Sequence, residues 1–312
     1  MKILEIGKVD LASLCYFNKE RYPFLLESVN HNDNNRYSIL FAFPSESIVL
    51  NSLSDFDFLN ELESQYKSSN LNSNLPFSGG WFVYLSYELI GQIEPILSGE
   101  LHTSELPIAY AVKIPSAIII DYQSNTTYLI DQDSNQSRID TILTDIELIK
   151  PIPEESILGK LSQENEDKFI CGVNACLDYI VAGDVFQVNL SRQWQYKLTK
   201  EIDSAVIYHA LKKTNPAPFS ALVQYENFSI LSSSPERLLS VQDGVLQTRP
   251  IAGTHPRGEG SEDETQKEDL INHPKEIAEH VMLLDLERND MGRVCEYGSV
   301  FVNEVMTLET YP

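Results

Sequence analysis

Arg237-Leu238-Leu239-Ser240-Val241-Gln242-Asp243-Gly244-Val245-Leu246-Gln247-Thr248-Arg249 places an Asp-Gly pair between two runs rich in apolar residues. Asp-Gly accepts the left-handed backbone of a tight hairpin turn. The spacing therefore predicts antiparallel strands at Arg237–Val241 and Val245–Arg249, joined by Gln242-Asp243-Gly244. Toward the N-terminus, Ser229–Ser233 and Ser220–Gln224 read as two more strands. Farther back, Phe169, Val173, Cys176, Leu177 and Ile180 share one face at the 3.6-residue period, a helix that stops at Gly183. Phe186-Gln187-Val188-Asn189-Leu190-Ser191 alternates at period two. Continued through Trp194, it predicts a strand with Gln187, Asn189, Ser191 and Gln193 on one face, which either lines a site or meets solvent. Toward the C-terminus, the polar run Glu259–Glu268 reads as a loop, and Pro274 opens a helix reaching about Arg288.

The N-terminal half is strand-rich, with apolar and β-branched runs at Trp81–Leu89, Ala117–Asp121 and Thr127–Ile130. Asn51–Asn74 reads as a polar helix followed by a loop, and Asp131–Asn135 as a turn. Strands and helices are grouped rather than alternating, which predicts an α+β layout. Lys150–Gln163, with Pro151 and Pro153, is the expected internal boundary between regions 1–150 and 160–312.

A chain of 312 residues with 42% hydrophobic and 22% charged residues suits a globular protein with a sizeable core. The N-terminus carries no signal-peptide pattern, and the longest apolar run, Ile108–Ile120, is broken by Lys113 and Pro115. The expected location is the cytoplasm, away from membranes. A net charge of −23 argues against nucleic acid as partner. Six of the nine arginines nevertheless fall between Arg192 and Arg293. They suit either bidentate capture of a carboxylate ligand or salt bridges to the abundant Asp and Glu. Cys15, Cys171, Cys176 and Cys295 have neither zinc nor redox spacing and read as ordinary thiols.

Three segments go beyond folding: Ser232-Ser233-Ser234-Pro235-Glu236-Arg237, Thr248–Gly258 containing Pro250-Ile251-Ala252-Gly253-Thr254, and Lys275–Asp290 containing Glu276-Ile277-Ala278-Glu279-His280. Glu276 and Glu279 lie three apart on the predicted helix and share a face. They form either a solvated acidic surface or hard oxygen ligands of the kind Mg²⁺ prefers. Glu236 suits a general acid/base or one half of an ion pair with Arg237. Gly253-Thr254 supplies a backbone N–H and a hydroxyl for a carboxylate, or a plain turn.

Taken together and in order, these segments resemble the chorismate-binding family, which includes anthranilate synthase component I, aminodeoxychorismate synthase component I and the isochorismate and salicylate synthases. Tyr22–Ser28 (Tyr-Pro-Phe-Leu-Leu-Glu-Ser) and Pro76–Glu88, with Gly79-Gly80-Trp81-Phe82, extend the resemblance over nearly the whole chain and into its aminating branch. Ser86–Pro95, Gln187–Ser191 and Leu308–Pro312 resemble the aminodeoxychorismate synthases, which serve 4-aminobenzoate and folate synthesis. Ala252 departs from that pattern. Well-known members carry a lysine there, which attacks C2 of chorismate so that ammonia adds at C4, whereas alanine matches the anthranilate synthases. Alanine is no nucleophile. Another nucleophile serves, ammonia adds without a covalent intermediate, or the product is anthranilate.

The resemblance implies large, mostly antiparallel sheets packed as a sandwich with surrounding helices. It implies Mg²⁺ held by Glu279 and Glu276, Glu236 as general acid to the departing hydroxyl, and Gly253 and Thr254 on the substrate. An acid in that role needs a raised pKa. The resemblance also implies a tryptophan pocket at Ser28, Asn35, Arg36, Tyr37, Pro218, Phe219 and Ser220. Tryptophan there is regulatory or structural, or the chain is a non-catalytic tryptophan-binding remnant. Ammonia would come from a separate glutamine amidotransferase subunit. The family continues past Tyr311-Pro312 with a His-containing segment, Gly-rich strands, a basic carboxylate ligand and another metal-binding glutamate. The chain is therefore expected to be truncated at its C-terminus, to bind chorismate poorly by itself and to turn it over negligibly.

Overall fold

The computed structural model describes residues 1–29, 36–66, 74–99 and 106–310. Its strands are β1 (Lys2–Ile6), β2 (Phe24–Glu27), β3 (Tyr37–Ala42), β4 (Ser47–Leu50), β5 (Gly80–Leu85), β6 (Ala109–Ile114) and β7 (Ser116–Asp121), then β8 (Thr126–Asp131), β9 (Gly159–Gln163), β10 (Trp194–Leu198), β11 (Phe219–Tyr225), β12 (Phe228–Ser234), β13 (Ser240–Gln242) and β14 (Val245–Gln247). The helices are α1 (Leu11–Phe17), α2 (Phe58–Gln65), α3 (Ile90–Ile93), α4 (Gln136–Leu148), α5 (Glu166–Ala182), α6 (Ser204–Thr214), α7 (Ser261–Asn272) and α8 (Pro274–Gly292).

Alternation along β3 shows how the layers arise. Leu40 and Ala42 point to one face, where α1, α4 and α6 supply Leu14, Ile139, Ile142 and Tyr208. Phe41 points to the other face and meets Phe24, Phe82 and Tyr110. Both faces of the sheet are covered, so the strands read as near-continuous apolar runs. The sheet is seven-stranded, in the order β1-β8-β7-β3-β2-β11-β12, with antiparallel neighbours throughout. Against its second face packs a three-stranded sheet, β4-β6-β5. Phe24 and Phe82 stack across the gap with ring centroids 4.1 Å apart, and Phe41 meets Phe77 edge-on at 5.0 Å. Such pairs add about 0.5–1.5 kcal/mol each beyond the area they bury. The far side of the smaller sheet is closed by Phe58 of α2 and by Leu89. This is the sandwich flanked by helices that the resemblance implies. Because β11 pairs with β2, the large sheet runs across the boundary expected at 150–163.

The hairpin forms where Asp-Gly places it. β13 and β14 pair Gln242 with Val245, and Asp243 (φ 51°) and Gly244 (φ 77°) take the left-handed turn. Each arm keeps three residues rather than five. α5 ends at Gly183 with φ 81°, as the sequence indicates.

Two expectations are corrected. The run Glu259–Glu268 is mostly helical, as α7. Glu262, Asp263 and Glu264 fill its first turn, where carboxylates suit the helix N-terminus, and Lys267 sits 3.0 Å from Asp263 one turn on. Phe186–Gln193 is not a strand. Strand backbone needs a neighbour for its hydrogen bonds, and the register of β9 against β10 ends at Trp194↔Gln163.

Among the described residues, the buried apolar side chains beyond Ile152 belong to α6, Ala217 and β11. α5 and α8 bury none. Within the apolar stripe read from the sequence, Val173 is 37% exposed, Leu177 54% and Ile180 40%, with Phe169 and Cys176 half-buried, so the stripe is real but not packed into the core. No helix among the described residues is long and apolar enough to cross a membrane.

Candidate functional site

β12 ends in Ser-Ser-Ser, and the turn that follows is held by its own hydroxyl. Ser234 Oγ accepts the Glu236 N–H at 3.2 Å and donates to the Glu236 carbonyl at 3.0 Å. The turn delivers Glu236 Oε1 to the backbone N–H of Ile251, 2.9 Å away. That single bond ties the Ser-Pro-Glu segment to the Pro-Ile-Ala-Gly-Thr segment. It also removes the proposed ion pair with Arg237, which makes no ion pair among the described residues.

The third segment closes on the second. A Cβ placed on Gly253 would lie 2.5 Å from Glu276 Oε2, so the absence of a side chain there lets the carboxylate sit against the backbone. Between the segments lies a cavity of roughly 1350 Å³ bordered by Glu236, Ala252, Gly253, Thr254, Glu276 and His280. No lysine borders it among the described residues. Glu279 turns from this lining to accept a hydrogen bond from Gln187 Nε2 at 3.0 Å. The amide of the irregular Phe186–Gln193 segment thus reaches α8. Among the described residues no three acidic, His or Cys side chains cluster as a ready metal site. Glu276 and Glu279 still offer two hard oxygen donors from one helix, a set suited to Mg²⁺ completed by water and ligand oxygens.

The sequence reading paired Glu276 with Glu279 and overlooked the rest of the helix stripe. Glu276, His280, Leu284, Glu287 and Met291 all border the cavity, at steps of four, four, three and four. Glu287 Oε2 is buried without a hydrogen-bond partner. Burial first, and then the negative charges of Glu236 and Asp290, hold this carboxyl above its ordinary pKa, against a hydrogen bond with Thr248. Arg249 donates to Glu309 (Nε, 2.5 Å) and Glu304 (Nη1, 2.8 Å), drawing residues 304–309 over the cavity. No local signal marks partners 55 and 60 residues apart.

The residues expected to form the tryptophan pocket are placed as follows. Ser28 is buried, its N–H bonded to Ser38 Oγ (3.0 Å) and its hydroxyl donating to the Tyr37 carbonyl (2.9 Å). Ser220 Oγ donates to the Ala217 carbonyl at 3.1 Å, and Val29 N–H reaches the same oxygen. Ser28, Tyr37, Pro218 and Ser220 are therefore neighbours across β2, β3 and β11. Phe219 points the other way and borders the large cavity. Arg36 is engaged by Asp121 in a two-pronged ion pair (2.7 and 2.6 Å) above the Tyr37 ring. Asn35 lies outside the described residues.

A family model described as chorismate binding enzyme matches residues 22–312. An anthranilate synthase component I-like protein of Synechocystis sp. is 35% identical, over 91% of this chain and 60% of its own length. The aminodeoxychorismate synthase component 1 of Bacillus subtilis is 37% identical, over 82% of this chain and 57% of its own length. Among solved structures, anthranilate synthase component I from Streptococcus pneumoniae superposes with a TM-score of 0.74 at 28% identity, covering 92% of this chain and 68% of that one. The chain thus spans about three-fifths of the length of these two curated relatives.

Proposed function

The chain belongs to the chorismate-binding enzyme family, and from that premise we propose that it is component I of an aminodeoxychorismate synthase. In this reading it converts chorismate and ammonia to 4-amino-4-deoxychorismate, with ammonia supplied by a glutamine amidotransferase subunit. The observation that carries the reading is the convergence of three separated segments on one cavity: Glu236 bonded to Ile251 N–H, and Gly253 in contact with Glu276.

The chemistry follows from the lining. The nitrogen of ammonia forms the new bond to the ring carbon while the hydroxyl leaves. Glu236 gives that hydroxyl its proton, so it departs as water, and the nitrogen then surrenders a proton that restores the carboxyl. Ile251 N–H, bonded to Oε1, fixes the orientation of the acid and leaves Oε2 for the substrate. Gly253 N–H and the Thr254 hydroxyl hold a substrate carboxylate. Mg²⁺ would supply positive charge to offset that carboxylate, with Glu276 of the lining as one donor and Glu279, once released from Gln187, as the other. With Ala252 at the nucleophile position and no lysine along the lining, ammonia adds directly rather than through an amine linked to the ring.

Ala252 also favours a second reading, anthranilate synthase component I, in which ammonia attacks C2. Liquid chromatography of the products formed from chorismate, ammonia and Mg²⁺ separates the two. 4-Amino-4-deoxychorismate supports the first reading and anthranilate the second. At Ser28, Tyr37, Pro218 and Ser220 we propose a tryptophan pocket. Calorimetry with tryptophan tests it, and no heat of binding would dismiss it.

A further inference from the structure

Phe186–Gln193 is held differently at its two ends. At the C-terminal end the hold is packing on α5. Leu190 covers Gly172, where an added Cβ would meet Leu190 Cδ2 at 3.1 Å. Arg192 stands over the Trp194 ring, 4.8 Å from its centroid, and 5.8 Å from that of Phe169. At the N-terminal end the hold on α8 is polar: Gln187 Nε2 donates to Glu279 Oε1 at 3.0 Å. Phe186 beside it is 81% exposed and contributes little packing. The segment is therefore a strap, fixed to one helix by apolar and ring contacts and to the other by an exposed amide. That amide occupies one of the two carboxylates that α8 offers to a cation. Glu276 borders the cavity and Glu279 does not. Three residues apart on one helix, the two share a face. Glu279 can thus join Glu276 on one ion when its side chain leaves Gln187 for a neighbouring rotamer. A divalent ion offers a carboxylate full charge where the amide offers a partial one.

We propose that Gln187 is a latch on the metal site: its amide and Mg²⁺ compete for Glu279, so the ion gains its second carboxylate only as the strap lets go of α8. This rests on the Mg²⁺ reading above. Because the two partners exclude each other, the coupling is reciprocal. Loosening Gln187 tightens the ion by the same factor as the ion loosens the strap. The packing of Leu190 and Arg192 keeps the rest of the strap on α5 while Gln187 swings free. A lone hydrogen bond of this kind sets the factor at about fivefold.

The test is titration of the full chain with Mn²⁺, which takes the same hard oxygen donors as Mg²⁺, followed by loss of the free-ion electron paramagnetic resonance signal. Native protein, Gln187→Ala, Gln195→Ala and Glu279→Gln are compared. Gln195 is an exposed amide on β10, outside the contact with α8. Gln187→Ala is expected to bind Mn²⁺ about fivefold more tightly than native. Gln195→Ala should stay within about twofold of native, and Glu279→Gln should bind about tenfold more weakly or worse. Equal affinity of native and Gln187→Ala, with Glu279→Gln weakened, would overturn the latch while leaving the metal reading intact. Weaker binding by Gln187→Ala would overturn it too, making Gln187 a residue that orients Glu279 toward the ion. Equal tightening in Gln187→Ala and Gln195→Ala would show that the contact with Glu279 is not the cause, and would also overturn it. Absence of Mn²⁺ binding by both native and Gln187→Ala, or binding indifferent to Glu279→Gln, would overturn the metal reading itself, and the latch with it.

Discussion

Gly253 has no side chain because the Glu276 carboxylate stands where one would go, 2.5 Å from an ideal Cβ. The obstacle is the end of a flexible side chain, so Gly253→Ala should fold normally, with a melting temperature within about 2 °C of native. Its cost falls on function, since Glu276 must swing away from the cavity. A fall of about tenfold or more in Mg²⁺-dependent chorismate affinity is expected, measured by calorimetric titration. A second single-residue outcome concerns Asp121, buried under Arg36 with further hydrogen bonds from Ser124 and the backbone of Gln123. The guanidinium of Arg36, more than the opposing effect of burial, holds the Asp121 pKa well below the usual carboxylate value. A depressed folded-state pKa gives stability that is complete above the unfolded value of about 4 and lost as pH falls toward the folded value. Asp121→Asn should therefore lower the melting temperature most at neutral pH, with the gap to native narrowing below about pH 4. A gap that widens with acid would reverse this assignment of sign. Glu236, Gly253 and Glu276 were readable as residues because their types are unusual together. Glu287, Arg249 and the solitary Arg237 were not, since their meaning depends on which distant carboxylates do or do not reach them.

Elements were legible in proportion to how local their causes are. Asp243-Gly244 forces its turn wherever the hairpin sits, and Gly183 stops α5 by the same backbone argument. α7 escaped because its sequence is polar from Ser261 to Asp269, with Leu270 and Ile271 its apolar residues; what stabilises its start is the arrangement of its charges. Asp263 joins Arg257, Lys267 and the Gly258 N–H at the helix start. Asp263→Asn should release that knot, seen as faster hydrogen exchange over residues 257–267 with little change in the sheet strands. Unchanged exchange there would show that charge placement does not hold α7. Phe186–Gln193 failed in the opposite direction. Its alternation is faithful to a strand, but pairing is not encoded in a strand's own residues, and Gln187 is used instead as a lone contact to Glu279.

On the scale of the whole molecule, the two parts of the chain differ in what holds them. The seven-stranded sheet has helices on one face and an aromatic layer on the other, with Leu40, Ile118 and Leu222 fully buried. α5 and α8 rest on few buried contacts. Hydrogen exchange should separate them: amides of β2, β3, β7 and β11 protected near the global limit, and those of α5 and α8 exchanging through local opening orders of magnitude sooner. The sheet order, with β11 inserted beside β2 after 191 intervening residues, was invisible to periodicity, which gives strands but not neighbours. The resemblance to a family supplied the sandwich that local patterns left open.

For the cavity joining Glu236, Gly253 and Glu276, the proposed role is amination of chorismate at C4. The most direct measurement is mass spectrometry of the products after long incubation of the chain with chorismate, Mg²⁺ and ¹⁵N-ammonia, alongside Glu236→Gln. The account predicts ¹⁵N-labelled 4-amino-4-deoxychorismate, however slowly formed, that is lost in Glu236→Gln. Labelled anthranilate, or a labelled product that forms equally in Glu236→Gln, would contradict it.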